Sequence, residues 1–212
     1  MKYNYVFLLG RPGCGKSAVY HGLEQRILDS GQARTIERVD DFPKVWATLQ
    51  RDDALESEGK QRLYSERTAE GGYVLTSDEI LNDILREISA DVLTKDEPDH
   101  MIVLEFARPN YVGAIRNFDE RILARSLVIY LEVNFEICWA RNVARHEAAL
   151  AEGGDDHLVC REAMEELYLY DDQNALVQYL REQGIPVLVV NNEAEGEEHL
   201  IRQVEELFAV LF

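Results

Sequence analysis

Apolar residues along this chain fall alternately into short continuous runs and longer stretches with helical spacing. Tyr5-Val6-Phe7-Leu8-Leu9 is the first run, with the length and composition of a strand buried on both faces. Ala18, Val19, Leu23, Ile27 and Leu28 then recur at helical spacing up to the stop signal Ser30-Gly31. A second strand is expected over 33–39, ending in Asp40-Asp41-Phe42-Pro43, where Pro43 suits the first turn of a helix. From Lys44 to Gly72 the pattern is polar and weakly periodic, which predicts one or two short helices and a turn or hinge at Gly71-Gly72. A helix opens at Thr76-Ser77-Asp78-Glu79 and presents Ile80, Leu81, Ile84, Leu85, Ile88 and Val92 on one face. Met101-Ile102-Val103-Leu104 is a third strand with Glu105 at its carboxyl end, and 126–133 a fourth. Helices over 136–150 and 161–183 flank a break at Gly153-Gly154-Asp155-Asp156. A fifth strand over 186–190 and a final helix carrying Leu200, Ile201, Val204, Leu207, Phe208 and Leu211 complete the chain.

Strands alternating with helices predict a single α/β domain over 1–212. It has three αβα layers around a five-stranded parallel sheet with right-handed crossovers. No internal repeat, low-complexity segment or linker interrupts it. Ligands of such sheets collect beyond the carboxyl ends of the strands, where Asp40, Asp41 and Glu105 fall.

Composition narrows the classes. The 212 residues carry a formal charge of −18 with 46% hydrophobic residues, ordinary for a folded domain. That charge weighs against broad nucleic-acid binding, which needs many phosphate contacts from Lys and Arg. Nucleic acid then enters only as a substrate in a local basic cleft, for which Arg108, Arg116, Arg121 and Arg125 are the candidates, diluted by Asp119 and Glu120. Cys14, Cys138 and Cys160 are widely spaced and form no zinc-type pair, consistent with a reducing compartment. Neither a signal peptide nor a membrane-length apolar run is visible, so a cytoplasmic protein without a membrane partner is expected.

Between the first strand and first helix stands Gly10-Arg11-Pro12-Gly13-Cys14-Gly15-Lys16-Ser17, which satisfies G-x-x-x-x-G-K-[ST] in its required context. Glycines let the backbone wrap a phosphate chain with its N–H groups, and the following helix adds its positive dipole end at Ser17 and Ala18. Lys16 is expected to reach the β- and γ-phosphates of ATP, and the Ser17 hydroxyl to hold Mg²⁺. Cys14 is either an oxidation-sensitive thiol or a small residue filling the loop. Of Asp40 and Asp41, one could take the proton of an attacking hydroxyl while the other orients substrate or metal-bound water, or either caps the following helix. Trp46 and Tyr64 are candidates to line an acceptor pocket. His157 reads as a solvated loop histidine or a proton shuttle.

Together these features resemble the nucleoside and nucleotide kinase branch of the P-loop NTPases. The resemblance implies a sheet of order 2-3-1-4-5, an acceptor-site insertion at about 42–72 and a helical lid at about 141–161. Asp40 and Asp41 are similar to the Asp-Asp-Phe that follows strand two in some members, with Asp40 favoured as catalytic base. Glu105 would sit near Mg²⁺ or the acceptor, and Arg108 near substrate phosphate or ribose. Arg141 and Arg145, one turn apart, would close over the ATP phosphates, with Arg161 entering from beyond the Gly153-Gly154 break. The implied activity is transfer of the γ-phosphoryl of ATP to a hydroxyl of a small molecule, such as a nucleoside, a nucleotide or a modified base, including one carried in DNA. The alternative is a regulatory NTPase that signals to a protein partner. No N-K-x-D guanine motif is present.

Overall fold

The computed structural model of the chain describes residues 2–68, 72–151 and 161–212. Three strands form the centre of a parallel sheet: β1 (Tyr5–Leu9), β5 (His100–Phe106) and β6 (Ser126–Glu132). Their near-continuous apolar sequences follow from burial on both faces, since every residue of β1 is buried. The edges are β2 (Thr35–Asp40) and β7 (Val187–Asn191), giving the order β2-β5-β1-β6-β7. Counted along the five strands of this sheet, that is the expected order 2-3-1-4-5.

Alternation along the strands sends side chains to two cores. On one face Val6, Leu8, Met101, Val103 and Ile129 pack against α1 (Lys16–Ser30) and α9 (Glu197–Leu211). A Cβ on Gly22 would lie 2.6 Å from Val204 Cγ2, so glycine is what lets these two helices approach so closely. On the other face Tyr5, Phe7, Leu9, Ile102 and Val128 pack against α3 (Asp78–Leu93) and α8 (Gln173–Glu182). Two core layers around one sheet make the three-layer α/β fold.

The chain departs from the sequence pattern in three places. The segment after Lys44 forms a single helix, α2 (Phe42–Ser57), and then a hairpin of β3 (Ser65–Arg67) and β4 (Tyr73–Leu75) instead of a second helix. Asp52 is the cause. Its fully buried carboxylate accepts hydrogen bonds from the Leu63, Tyr64 and Ser65 amides at 2.8, 2.9 and 2.7 Å and from the Ser65 hydroxyl at 2.8 Å. Burial alone would raise its pKa; these bonds hold it below the usual carboxylate range.

The second departure is the pair of short helices α4 (Tyr111–Ile115) and α5 (Glu120–Leu123), capped by Asn110 and Asp119. The third is the helix expected over 161–183, which is two: α7 (Arg161–Tyr168) and α8, broken where Asp171 and Asp172 turn inward. Asp172 accepts the amides of Tyr111 and Val112 at 2.6 and 2.9 Å, while Asp171 accepts the Tyr130 hydroxyl. The remaining helix α6 (Phe135–Ala151) follows β6 as expected. Gly71, the Gly153-Gly154 break, His157 and Cys160 lie outside the described residues. Among the described residues, no helix is long and apolar enough to cross a membrane.

Candidate active site

The segment from Gly10 to Gly15 turns the chain from the end of β1 into α1. Gly13 (φ +80°) and Gly15 (φ +97°) take left-handed backbone, and added Cβ atoms would stand 2.2 Å from the Cys138 carbonyl oxygen and 2.4 Å from Asn192 Nδ2. Only glycine fits such a close wrap. Lys16 is buried, with its ammonium donating to the Gly10 and Arg11 carbonyls at 2.8 and 3.0 Å. It thus sits across the mouth of its own loop, while Ser17 and Ala18 are exposed at the helix start. Asn192, beyond β7, braces the loop through Nδ2 to the Cys14 carbonyl at 2.7 Å.

Arg11 faces away from this nest. It donates to the carbonyls of Tyr168, Val133 and Leu169 at 2.6, 3.1 and 3.5 Å and pairs with Asp171 at 3.3 Å. Its guanidinium ties the loop to the α7–α8 junction, leaving only its backbone for a ligand. The Cys14 thiol is buried and its pKa is pushed up by that burial, so of the two readings it is the filler, not the sensor.

Asp40 is the last residue of β2, and Asp41 follows outside the strand with helical backbone (φ −78°, ψ −22°), so the two carboxylates meet different partners. Asp40 lies in register with Glu105 of β5 on the α1 side, and Arg38, two residues earlier, shares that face. Arg38 reaches along the sheet to the start of α1: Nη2 is 3.3 Å from Ser17 Oγ and 3.2 Å from Asp40 Oδ2, and Nε is 2.8 Å from Glu105 Oε2. Asp40 also accepts the Phe42 amide at 3.0 Å, so it caps α2 as well. Ser17, Asp40 and Glu105 thus bring hard oxygen ligands to one guanidinium, a set whose chemistry suits Mg²⁺ completed by water and phosphate oxygens.

Asp41, just beyond the strand, pairs with Arg108, both more than nine-tenths buried. Burial lifts the Asp41 pKa above the ordinary carboxylate value even though Arg108 opposes the shift, and Lys16 is close enough to oppose it too. Arg108 Nε makes no hydrogen bond. The Tyr168 hydroxyl, its pKa raised by burial, feels both members of the pair.

The other expected residues are dispersed. Arg141 on α6 donates to the carbonyls of Asn192 and Glu193, each at 3.0 Å, which places it beside the loop's Asn192 brace. Arg145 donates to Asn142 at 3.1 Å, and Arg161 pairs with Glu136 and Glu165. Trp46 stacks on Phe42 and meets Tyr73 edge-on, forming an aromatic patch between α2 and the hairpin, whereas Tyr64 serves the hairpin through its backbone. Arg125 lies at the amino end of the sheet, paired with Asp96 and bonded to Tyr5, the opposite end from Arg108. Arg108 and Arg125 of the supposed basic cleft therefore do not share a groove. Arg38 was not singled out in the sequence, although its i, i+2 relation to Asp40 on a strand was a readable signal.

No family model matches the chain, and no curated protein does. Solved structures do. A gluconokinase from Sinorhizobium meliloti 1021 superposes with a TM-score of 0.59 at 12% identity, over 99% of this chain and 94% of that one. Kti12 of Chaetomium thermophilum in complex with ADP-AlF3 gives 0.57 at 16%, over 98% and 99%. The Mycobacterium tuberculosis APS kinase CysC, in complex with AMPPNP and APS, gives 0.50 at 13%, over 99% and 98%. With its sheet order, its glycine nest after β1 and these neighbours, the chain has the fold of the P-loop kinases.

Proposed function

We propose that the chain is an ATP-dependent kinase that moves the γ-phosphoryl group to a hydroxyl of a small molecule, with a nucleoside, a nucleotide or a modified base first among the acceptors. The observation that carries this reading is the buried Asp41–Arg108 pair beside Lys16. A site built only to hydrolyse a nucleotide has no need of a desolvated carboxylate–guanidinium pair within electrostatic reach of Lys16. Catalysis in this class is positioning and charge stabilisation.

In the reading we favour, the loop amides and Lys16 hold the phosphates once Lys16 leaves its own carbonyls. Ser17, Asp40 and Glu105 would hold Mg²⁺, which would supply positive charge against the phosphate oxygens. Asp41, not Asp40, faces the acceptor: it pairs with Arg108 apart from the oxygens grouped around Arg38, and burial raises its pKa, as suits a proton acceptor. Arg108 orients the acceptor alongside it, with Trp46 and the α2–hairpin segment forming the outer wall. Arg141 and Arg145 close over the transferred group after Arg141 releases Asn192 and Glu193.

Hydrolysis coupled to a protein partner is the second reading, favoured by the superposition on Kti12, whose name specifies no acceptor. The two are separated by following γ-labelled ATP across a panel of nucleosides, nucleotides, sugar acids and hydroxymethylated DNA. Transfer of label to an acceptor, abolished in Lys16→Ala and cut about a hundredfold or more in Asp41→Asn, is the expected result. Label released only to water would overturn the kinase reading.

A further inference from the structure

Arg38 lies where three oxygen-bearing side chains meet. Three oxygens that suit a divalent cation, on Ser17, Asp40 and Glu105, all face its guanidinium at 3.3, 3.2 and 2.8 Å. The fit is poor in one respect. Arg38 Nε and Glu105 Oε2 are both buried and close, but their geometry makes no hydrogen bond and neither has another. A planar fork cannot satisfy donors arranged around a point. A small cation with an adaptable water shell can.

Charge supplies the reason a placeholder is needed. Asp40, Asp41 and Glu105 converge at the carboxyl ends of adjacent strands in a chain of net charge −18, so without a ligand their mutual repulsion falls on the strand ends. Arg108 neutralises Asp41, and Arg38 does the same for the other two. Arg38 also has somewhere to go: its guanidinium already lies 5.7 Å from the Tyr20 ring of α1, a face on which a displaced arginine can rest by cation–π contact.

We propose that Arg38 is an exchangeable counter-cation: it occupies the metal position in the nucleotide-free protein and yields it when nucleotide brings Mg²⁺. The inference rests on the kinase reading only in naming when the exchange happens. Its consequence is that the free enzyme resists divalent cations, so metal enters with the nucleotide and not before it.

The test reads metal binding without nucleotide or turnover. Mn²⁺ is titrated into the free protein and followed by the loss of its free-ion electron paramagnetic resonance signal, in wild type, Arg38→Gln and Arg38→Lys. Removing one positive charge at contact distance from two carboxylates should tighten Mn²⁺ binding about tenfold or more in Arg38→Gln, with Arg38→Lys in between. Adding Glu105→Gln to Arg38→Gln should return affinity to the wild-type level. Thermal unfolding run alongside should show Mn²⁺ raising the Tm of Arg38→Gln more than that of wild type. Equal Mn²⁺ affinity in folded wild type and Arg38→Gln would overturn the proposal and leave Arg38 a structural cross-link. ATP binding, measured separately, bears on the kinase reading alone.

Discussion

Arg108→Met tests the pairing at the base of the acceptor site, because methionine keeps most of the side-chain volume and removes the charge. Asp41 is then a buried carboxylate without its partner, and such groups avoid the full desolvation cost by taking up a proton. That caps the loss. Starting from the ordinary value of 3.8, and at about 1.4 kcal/mol per pH unit, holding Asp41 neutral near pH 7 costs at most about 4.5 kcal/mol and near pH 5 about 1.7 kcal/mol. The sign follows from a folded-state pKa raised further above the unfolded one: stability is retained at low pH and lost as pH rises. Urea denaturation of wild type and variant between these two pH values gives the difference directly. Adding Asp41→Asn to Arg108→Met removes the titrating group, and the pH slope should disappear with it. A difference between wild type and Arg108→Met that stays flat across this range would mean Asp41 is solvated, and the argument for a desolvated pair would fail.

Two more perturbations probe the loop and the hairpin. Gly13→Ala and Gly31→Ala both force alanine into left-handed backbone, costing about 1–2 kcal/mol, but only the former drives its Cβ to 2.2 Å from a main-chain oxygen while the latter meets nothing within 4 Å. Gly13→Ala should therefore lose more stability than Gly31→Ala in urea and should lose ATP binding as well; equal losses would refute the close wrap. Asp52→Ala strands three amides and a hydroxyl and should cost about 3 kcal/mol or more. Because the Asp52 pKa is depressed, its contribution is present above the ordinary 3.8 and fades as pH falls below it. A variant as stable as wild type near neutral pH would show that the hairpin does not depend on this carboxylate.

Much of the fold was legible because periodicity reports burial. β1, β5 and β6 are buried on both faces and read as unbroken apolar runs, and the helices over 76–92 and 200–211 each show one apolar stripe. What the pattern missed is held by polar groups acting at a distance in sequence. The β3–β4 hairpin has little apolar surface of its own and hangs on Asp52, up to 13 residues away. The break between α7 and α8 is likewise written in Asp171 and Asp172, whose partners Tyr130, Arg11 and the α4 amides lie 41 or more residues off. A helical apolar stripe runs straight through that break, so hydrophobic spacing alone reports one helix.

The site divides in the same way. The phosphate loop was legible because its chemistry is local: eight consecutive residues between a strand and a helix fix both the nest and its glycines. The acidic side was only half legible. Both aspartates read as the end of a strand, but which partners each meets depends on where that strand stops and on the register of β2 against β5, which joins Asp40 to Glu105 across 65 residues of chain. Register is set by packing of the whole sheet, so no local pattern contains it. The same register brings Arg38 onto Glu105 and α1 packing brings it onto Ser17, which turns an unremarked residue of an edge strand into the cation of the metal position. Asp41, one residue past the strand, pairs with Arg108 instead, and in the proposed kinase it is the acid that the acceptor would meet. Two adjacent aspartates thus take different arginine partners because the strand ends between them.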